Sequence, residues 1–346
     1  MISIRTMKNE EAVVIQKLGK QLFEPFDAMM ISKPKNCIVA LENEEIVGAV
    51  IYKYLTLKPV KLLYVEFIFV RGNTISRGIG RKLLDACMAQ GINENCNGFS
   101  AIIRDDNVAS WKLFLDRGFE RVQFKPLISL FGIKETMKQL FETHFGFATG
   151  MDYYVKIDKP FVKDSITPTS FQLGHYFLVS SLVIIPLLVK DISYGFQMIL
   201  ALITTLLIRM LGGYLLTRFT KEEWSFRVSE GGYLIPLIAS LFGGVYFLCG
   251  NWYPKVYSKS ETFKQTLGLA SLGQWLSLYM VILLNAFVFQ QSDFLNLVTF
   301  LASFLMVLSL IPFNPVASFG GKRLYDWNKV TYGFVVVLSI VTLFII

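Results

Sequence analysis

The chain has 346 residues, 53% of them hydrophobic, with 34 Lys and Arg against 26 Asp and Glu and a formal net charge of +8. Its mean hydropathy of +0.48 excludes an ordinary soluble protein. On so apolar a chain the basic excess marks cytoplasmic loops and anionic headgroup contact, and nucleic acid is not an expected partner.

The average hides a step. Residues 1–165 mix charged and apolar positions in the globular manner, whereas residues 171–346 carry apolar runs of the length needed to cross about 30 Å of hydrocarbon. The start, MISIRTMKNEE, has no apolar stretch of the kind that opens a cleaved signal peptide. The first half is therefore expected in the cytoplasm. Cys37, Cys87, Cys96 and Cys249 show no CxxC spacing, so reduced, structural thiols are expected.

In chain order, ISIRTMK reads as a strand and EEAVVIQKLGKQLF as an amphipathic helix. CIVALENEEIVGAVIYKYL gives two strands about the polar turn Asn43, Glu44, Glu45. KLLYVEFIFV is a long strand that runs into RGNTISRGIGRKLLDACMAQGI, a loop followed by a helix. AIIRD is a strand, NVASWKLFLDRG a helix, FERVQF a strand, and DYYVKID the last strand. This order predicts an α/β fold with a mixed sheet and flanking helices. Between the last two strands Ile133, Met137, Leu140 and Phe141 share a helical face, after an apolar patch of Leu127, Ile128, Leu130 and Phe131. That segment is expected as a helix packed on the domain, or as a lid or bilayer contact.

SRGIGRKLL places glycines at the start of a helix, where unpaired N–H groups and the positive end of the dipole meet. Gly78 and Gly80 let the backbone approach a bulky anion, and Arg77, Arg81 and Lys82 add positive charge. A pyrophosphate suits such a loop. Glu66 interrupts the apolar strand LLYVEFIFV just before it. Glu66 is a candidate general base, or else a carboxylate satisfied by a neighbouring Arg or hydroxyl. Tyr153 and Tyr154 are core or rim residues or substrate contacts. His144 has no partner at metal spacing, and no metal site is expected.

Together with Asn107-Val-Ala-Ser-Trp-Lys-Leu-Phe114 and Gly118-Phe119, the loop resembles the paired motifs of the GNAT N-acetyltransferase superfamily over about residues 2–158. The resemblance implies acetyl-CoA as cofactor, its pyrophosphate on Arg77, Gly78, Ile79, Gly80, Arg81 and Lys82. Its pantetheine arm would lie along the strand end at Phe69 and Val70, with Asn107 and Phe114 also at the cofactor. Ile75 departs from the Arg or Gln of the family pattern, and Phe114 from a Tyr that often protonates the leaving thiolate.

The expected organisation is an acetyltransferase domain at 1–158, a linker at 159–170 and an all-α polytopic membrane domain at 171–346. Apolar segments fall near 171–189, 194–217, 231–250, 266–289, 294–312 and 330–346. The third is broken by Gly231, Gly232, Pro236, Gly243 and Gly244, which suits a re-entrant hairpin. With it, Lys255, Lys259, Lys264, Lys322, Arg323 and Lys329 fall inside, and five spans satisfy the positive-inside rule better than six. IPFNPVASFGGKRLYDWNK and LASLGQW resemble segments of site-2-type intramembrane zinc proteases. Arg209, Met210 and Gly213 stand where that family carries His-Glu-x-x-His, and Gly320 where it carries Asp. His175 and Cys249 are too few to replace those ligands. The resemblance implies a degenerate scaffold, with open space at Gly213 and Gly320 forming a groove between the Arg209 helix and the 312–321 segment.

The sequence thus predicts a membrane-anchored acetyl-CoA-dependent N-acetyltransferase, acting on an amine such as a protein N-terminus, a lysine or a small amine, at the cytoplasmic face. The alternative is a non-catalytic acetyl-CoA-binding scaffold or sensor.

Overall fold

The computed structural model describes residues 2–23, 25–58, 60–72, 78–104, 107–143, 146, 151–158, 168–228, 233–255, 261–289, 292–312 and 317–345. The chain divides into two compact units, one of Met1–Phe147 with Met151–Ser165, the other of Ala148–Gly150 with Ile166–Ile346.

The first unit is built on strands β1 (Ile2–Thr6), β2 (Asn36–Glu42), β3 (Glu45–Leu57), β4 (Val60–Val70), β5 (Gly98–Ile103), β6 (Glu120–Val122) and β7 (Asp152–Ile157). They form one sheet in the order β1-β2-β3-β4-β5-β7-β6. β4 and β5 run parallel; the other neighbours are antiparallel. The helices are α1 (Ala12–Leu22), α2 (Pro25–Met30), α3 (Ile79–Asn93), α4 (Val108–Leu115) and α5 (Phe124–Glu142). Asn43 and Glu44 adopt positive φ of 50° and 66° in the β2–β3 turn, which Asn tolerates better than most residues.

Alternation along β3 puts Ala49, Ile51, Lys53, Leu55 and Leu57 on one face. Ala49 and Ile51 pack with Ile15, Leu18 and Ile31 of the α1–α2 region, and with Phe69. Leu55 and Leu57 pack with Leu62, Tyr64, Tyr153 and the α5 residues Leu127, Phe131 and Leu140. One face thus carries two apolar clusters, with Lys53 between them. The other face is covered by α3, whose Ile79, Leu83, Leu84 and Cys87 are buried. There Gly48 must be glycine, because a Cβ would lie 2.9 Å from the Phe69 carbonyl.

α5 is helical from Phe124, so Leu127 and Phe131 are core residues and not a bare patch. The predicted face of the segment splits. Gly132, at φ 79° and ψ 161°, kinks the helix. Beyond the kink Ile133 and Phe141 face outward at 67% and 63% exposure, while Leu140 is buried.

The second unit contains α6 (Thr169–Leu182), α7 (Ile185–Lys190), α8 (Ile192–Thr217), α9 (Leu234–Leu241), α10 (Glu261–Leu284), α11 (Asp293–Leu308), α12 (Gly321–Trp327) and α13 (Lys329–Ile345). Among the described residues three helical stretches are long and apolar enough to cross a membrane: Thr169–Val189, Ile192–Thr217 and Thr262–Val288. Asp293–Leu308 and Lys329–Phe344 are shorter apolar helices. The segment near 231–250 does not form a long helix. α9 ends at Leu241, and an irregular stretch leads to a strand.

This unit is helical but not all-α. β8 (Trp224–Val228) and β9 (Gly250–Pro254) pair as an antiparallel ribbon. In an apolar setting its free edges need partners. On β8, Thr169 Oγ1 accepts from Phe226 N at 3.4 Å and Gln172 Oε1 from Val228 N at 3.3 Å. On β9, Arg209 donates to the Gly250 carbonyl at 3.1 Å and Arg323 to the Trp252 carbonyl at 3.0 Å. Side chains from helices complete a two-stranded sheet on both sides.

Candidate active site

The parallel pairing of β4 and β5 runs only from Leu62–Gly98 to Val65–Ala101. Beyond it β4 continues to Val70 beside β3, and β5 continues to Ile103 beside β7. The two strands part. The Arg71 N–H bonds the Val47 carbonyl at 2.8 Å. By antiparallel alternation, the peptide groups of Phe67 and Phe69 then turn to β3, while those of Ile68 and Val70 turn toward the gap. An extended ligand arm can pair with these free groups.

The parting begins at a bulge. Tyr52 faces Val65 and Ile51 faces Phe67, which leaves Glu66 as the extra residue. A bulge re-aims its side chain. The Glu66 carboxylate, 16% exposed, lies 2.6 Å from Lys53 Nζ. Lys53 also donates to the Glu142 carbonyl at the C-terminal end of α5, and its ammonium stands 5.5 Å from the centre of the Tyr64 ring. Burial pushes the Tyr64 phenol above its ordinary range, and Tyr153 likewise. The sequence offered an Arg or a hydroxyl as a partner for Glu66; Lys53 is one partner that it has in the fold. Lys53 was legible as a charge among the apolar positions 49, 51, 55 and 57, opposite a second interruption at 66.

At the other end of the gap, Gly78 caps α3 with φ 73° and ψ 12°. A Cβ there would meet nothing within 4 Å, so conformation and not crowding calls for glycine. The next N–H groups begin a 15-residue helix and lack intrahelical partners. Gly80 lies against β4 and α4, its Cβ position 4.0 Å from Val70 Cγ2 and 3.9 Å from Leu113 Cδ2. Arg81 and Lys82 are exposed and Ile79 is buried. Val70, Gly78, Ile79, Gly80, Arg81 and Lys82 therefore gather where β4 ends and α3 begins. Phe69 differs: it is 6% exposed and packs with Phe23, its ring centre 6.0 Å away. Arg77 and Ile75 lie outside the described residues, as does His144.

Two residues expected at the cofactor also take part in the fold. The Asn107 amide oxygen accepts the Ser110 N–H at 3.2 Å and so caps α4. Phe114 is 1% exposed and stands edge-on to Phe119 at 4.9 Å. Tyr153 and Tyr154 are buried at 2% and 4% exposure, which places them in the core and not on a rim.

In the second unit the expected groove is filled. The fully buried Arg209 reaches across it to the Phe319 carbonyl at 3.1 Å. A Cβ on Gly213 would meet Gln274 Cγ at 2.8 Å and Trp252 Cδ1 at 3.1 Å, and one on Gly320 would meet Ser271 Oγ at 3.0 Å. The two glycines admit close packing and leave no room. Residues 313–316 lie outside the described residues. Among the described residues no group of three or more His, Cys, Asp and Glu side chains could hold a metal ion.

Residues 6–119 match the acetyltransferase (GNAT) family. The match covers about a third of the chain and includes the parting strands and the start of α3. The first unit has the mixed sheet and flanking helices of that fold. No curated protein matches the chain. Among solved structures, a NatC complex bound to Gag peptide and CoA is similar at 14% identity, over 46% of this chain and 99% of that one, with a TM-score of 0.33. Arabidopsis thaliana NAA60 in complex with acetyl-CoA is 15% identical over 36% of this chain and 88% of its own, TM-score 0.31. The ribosomal-protein-S18-alanine N-acetyltransferase of Escherichia coli is 16% identical over 36% of this chain and 80% of its own, TM-score 0.30.

Proposed function

We propose that the first unit is an acetyl-CoA-dependent N-acetyltransferase and that the second unit anchors it in a membrane. The observation that carries this reading is the parting of β4 from β5 above a left-handed Gly78. Free strand groups at Ile68 and Val70 suit the amides of a pantetheine arm. The open cradle at Gly78, with N–H groups at the start of α3 and exposed Arg81 and Lys82, suits a pyrophosphate. When bound, acetyl-CoA supplies an activated acyl carbonyl. Glu66, at the bulge beside the gap, would take the proton of the attacking amine. The buried phenyl ring of Phe114 cannot return a proton to the thiolate. With a thiol pKa of about 8.5, departure needs little help.

The membrane reading rests on the three long apolar helices and on the side-chain completion of the β8–β9 ribbon. Anchoring raises the effective concentration of membrane-bound amines, whether protein N-termini, lysines or small amines. Proteolysis is no part of the proposal. Arg209, Met210, Gly213 and Gly320 include neither a carboxylate nor an imidazole, whatever the ancestry of the scaffold.

Release of CoA thiol by the purified full-length protein, measured against panels of peptides, polyamines and aminolipids, tests this reading. Turnover with one acceptor class, reduced in Glu66→Gln with acetyl-CoA binding retained, is the expected result. Tight acetyl-CoA binding without transfer to any acceptor would favour the scaffold alternative. Absence of binding would reject the cofactor.

A further inference from the structure

The last turn of α8 and the chain on either side of the ribbon line an open surface cavity of about 440 Å³, whose lining includes Tyr214, Arg218, Glu222, Glu223, Trp224 and Lys255. Lys255 and Glu223 pair at 3.0 Å. The Arg218 guanidinium donates to the Tyr214 hydroxyl at 3.1 Å, and among the described residues neither Arg218 nor Glu222 has an ion-pair partner. The cavity thus presents one unpaired guanidinium and one unpaired carboxylate, with the remaining charges cancelling.

We propose that this cavity binds a phosphoethanolamine headgroup. The zero charge balance disfavours polyanionic ligands and suits a zwitterion. Arg218 offers a planar fork that matches two oxygens of a phosphodiester. Glu222 accepts from a primary ammonium, near the negative end of the α8 dipole. The place fits as well. Thr217, where a 26-residue apolar helix ends, lines the cavity, and helix ends are the level at which Trp and Tyr belts sit in membrane proteins.

The aromatic lining decides between ethanolamine and choline. A quaternary ammonium needs a cage of several aromatic faces. The Tyr214 ring is already taken, by Arg218 at 5.9 Å and by the Trp252 ring at 5.1 Å. Trp224 is left as a single face, its N–H turned to Thr220 Oγ1 at 2.8 Å. A headgroup that donates hydrogen bonds to Glu222 gains more here than one that cannot.

Native mass spectrometry of the full chain, delipidated and offered phosphatidylethanolamine, phosphatidylcholine or phosphatidylglycerol, tests the proposal. Ethanolamine adducts should exceed the other two by about tenfold, the scale of one charge-assisted hydrogen bond. Arg218→Ala should lower all three, and Glu222→Gln should remove the preference for ethanolamine over choline. Arg218→Lys, which keeps the charge without the fork, should fall between. Both positions lie near the surface, so the variants should keep the wild-type Tm. Soluble glycerophosphoethanolamine separates the two sources of the chemistry. Competition with the lipid assigns recognition to the headgroup alone; persistence of the lipid preference without competition assigns it to the membrane-bound form. Equal adducts of the three lipids, or adducts unmoved by either Arg218→Ala or Glu222→Gln, would overturn the proposal.

Discussion

Lys53 and Glu66 face each other at 2.6 Å across β3 and β4, in the seam between the two apolar clusters of one sheet face. The pair joins three elements. Glu66 sits on the bulge that parts β4 from β5, Lys53 on the neighbouring strand, and the Glu142 carbonyl closes α5 onto Lys53. α5 lies beyond the family-matched stretch, which ends at residue 119. The candidate base is therefore held in part by an element outside the matched stretch.

Glu66→Gln should lower turnover by roughly 10²–10⁴, the usual effect of a lost general base, while acetyl-CoA affinity holds. Lys53→Met should lower turnover by about tenfold or more through the loss of orientation, and Lys53→Arg should restore part of it. Steady-state kinetics with calorimetric binding of acetyl-CoA separates the two effects. Equal turnover in wild type and Lys53→Met would show that the ion pair serves the fold alone.

Gly78→Ala tests conformation without charge. An alanine at φ 73° costs about 1 kcal/mol or more in backbone strain, although its Cβ meets no neighbour. The predicted outcome is a modest fall in Tm and weaker acetyl-CoA binding. Gly78→Asp adds a negative charge to the cradle and should abolish binding. An Asp variant that binds as tightly as the Ala variant would remove the pyrophosphate from this loop.

Much of this was readable in the sequence, and the misses have physical reasons. The apolar run KLLYVEFIFV and the glycines of SRGIGRKLL mark β4 and the start of α3, because those patterns depend on neighbours along the chain. The Lys53–Glu66 pair needs the β3–β4 register, which only pairing fixes. Phe114 occupies a motif position, but its burial depends on Phe119 turning back after Gly118 at φ 77°. The ribbon in the second unit was hidden because WSFRV and GNWYP are short and lie far apart. Gly213 and Gly320 suggested open space; in the fold Gln274, Trp252 and Ser271 fill it.

The N-terminal edge carries a pH signal. Arg5 grips Glu11 through two bonds of 2.8 and 2.6 Å, and the Lys8 N–H adds a third at 2.7 Å. These hold the Glu11 carboxyl far below its ordinary 4.5, at about 2. A depressed carboxyl contributes stability that is complete above the unfolded value and lost as pH falls through the folded one. The contribution should fade between about pH 4.5 and 2, and Glu11→Gln should flatten that limb of the stability profile. Parallel acid-unfolding curves for wild type and variant would refute the assignment.

Arg209 makes the most consequential contacts of the second unit. Its side chain is fully buried and donates to the Gly250 carbonyl at 3.1 Å, Asn251 Oδ1 at 3.3 Å and the Phe319 carbonyl at 3.1 Å. One guanidinium thus ties α8, β9 and the 317–319 turn. Arg209→Met would relieve the cost of burying a charge but strand three acceptors, each worth about 1–3 kcal/mol when unmet. The acceptors are fixed in backbone and a buried amide, so the loss should win, by about 2–4 kcal/mol after that relief. Lysine brings a point charge that reaches one or two of the three oxygens, so Arg209→Lys should restore less than half of the loss. Thermal unfolding reads the magnitude, and hydrogen exchange across residues 250–254 reads the place. Protection of β9 that survives Arg209→Met unchanged would mean that the Arg323 bond to the Trp252 carbonyl and the packing of Trp252 hold the ribbon without Arg209.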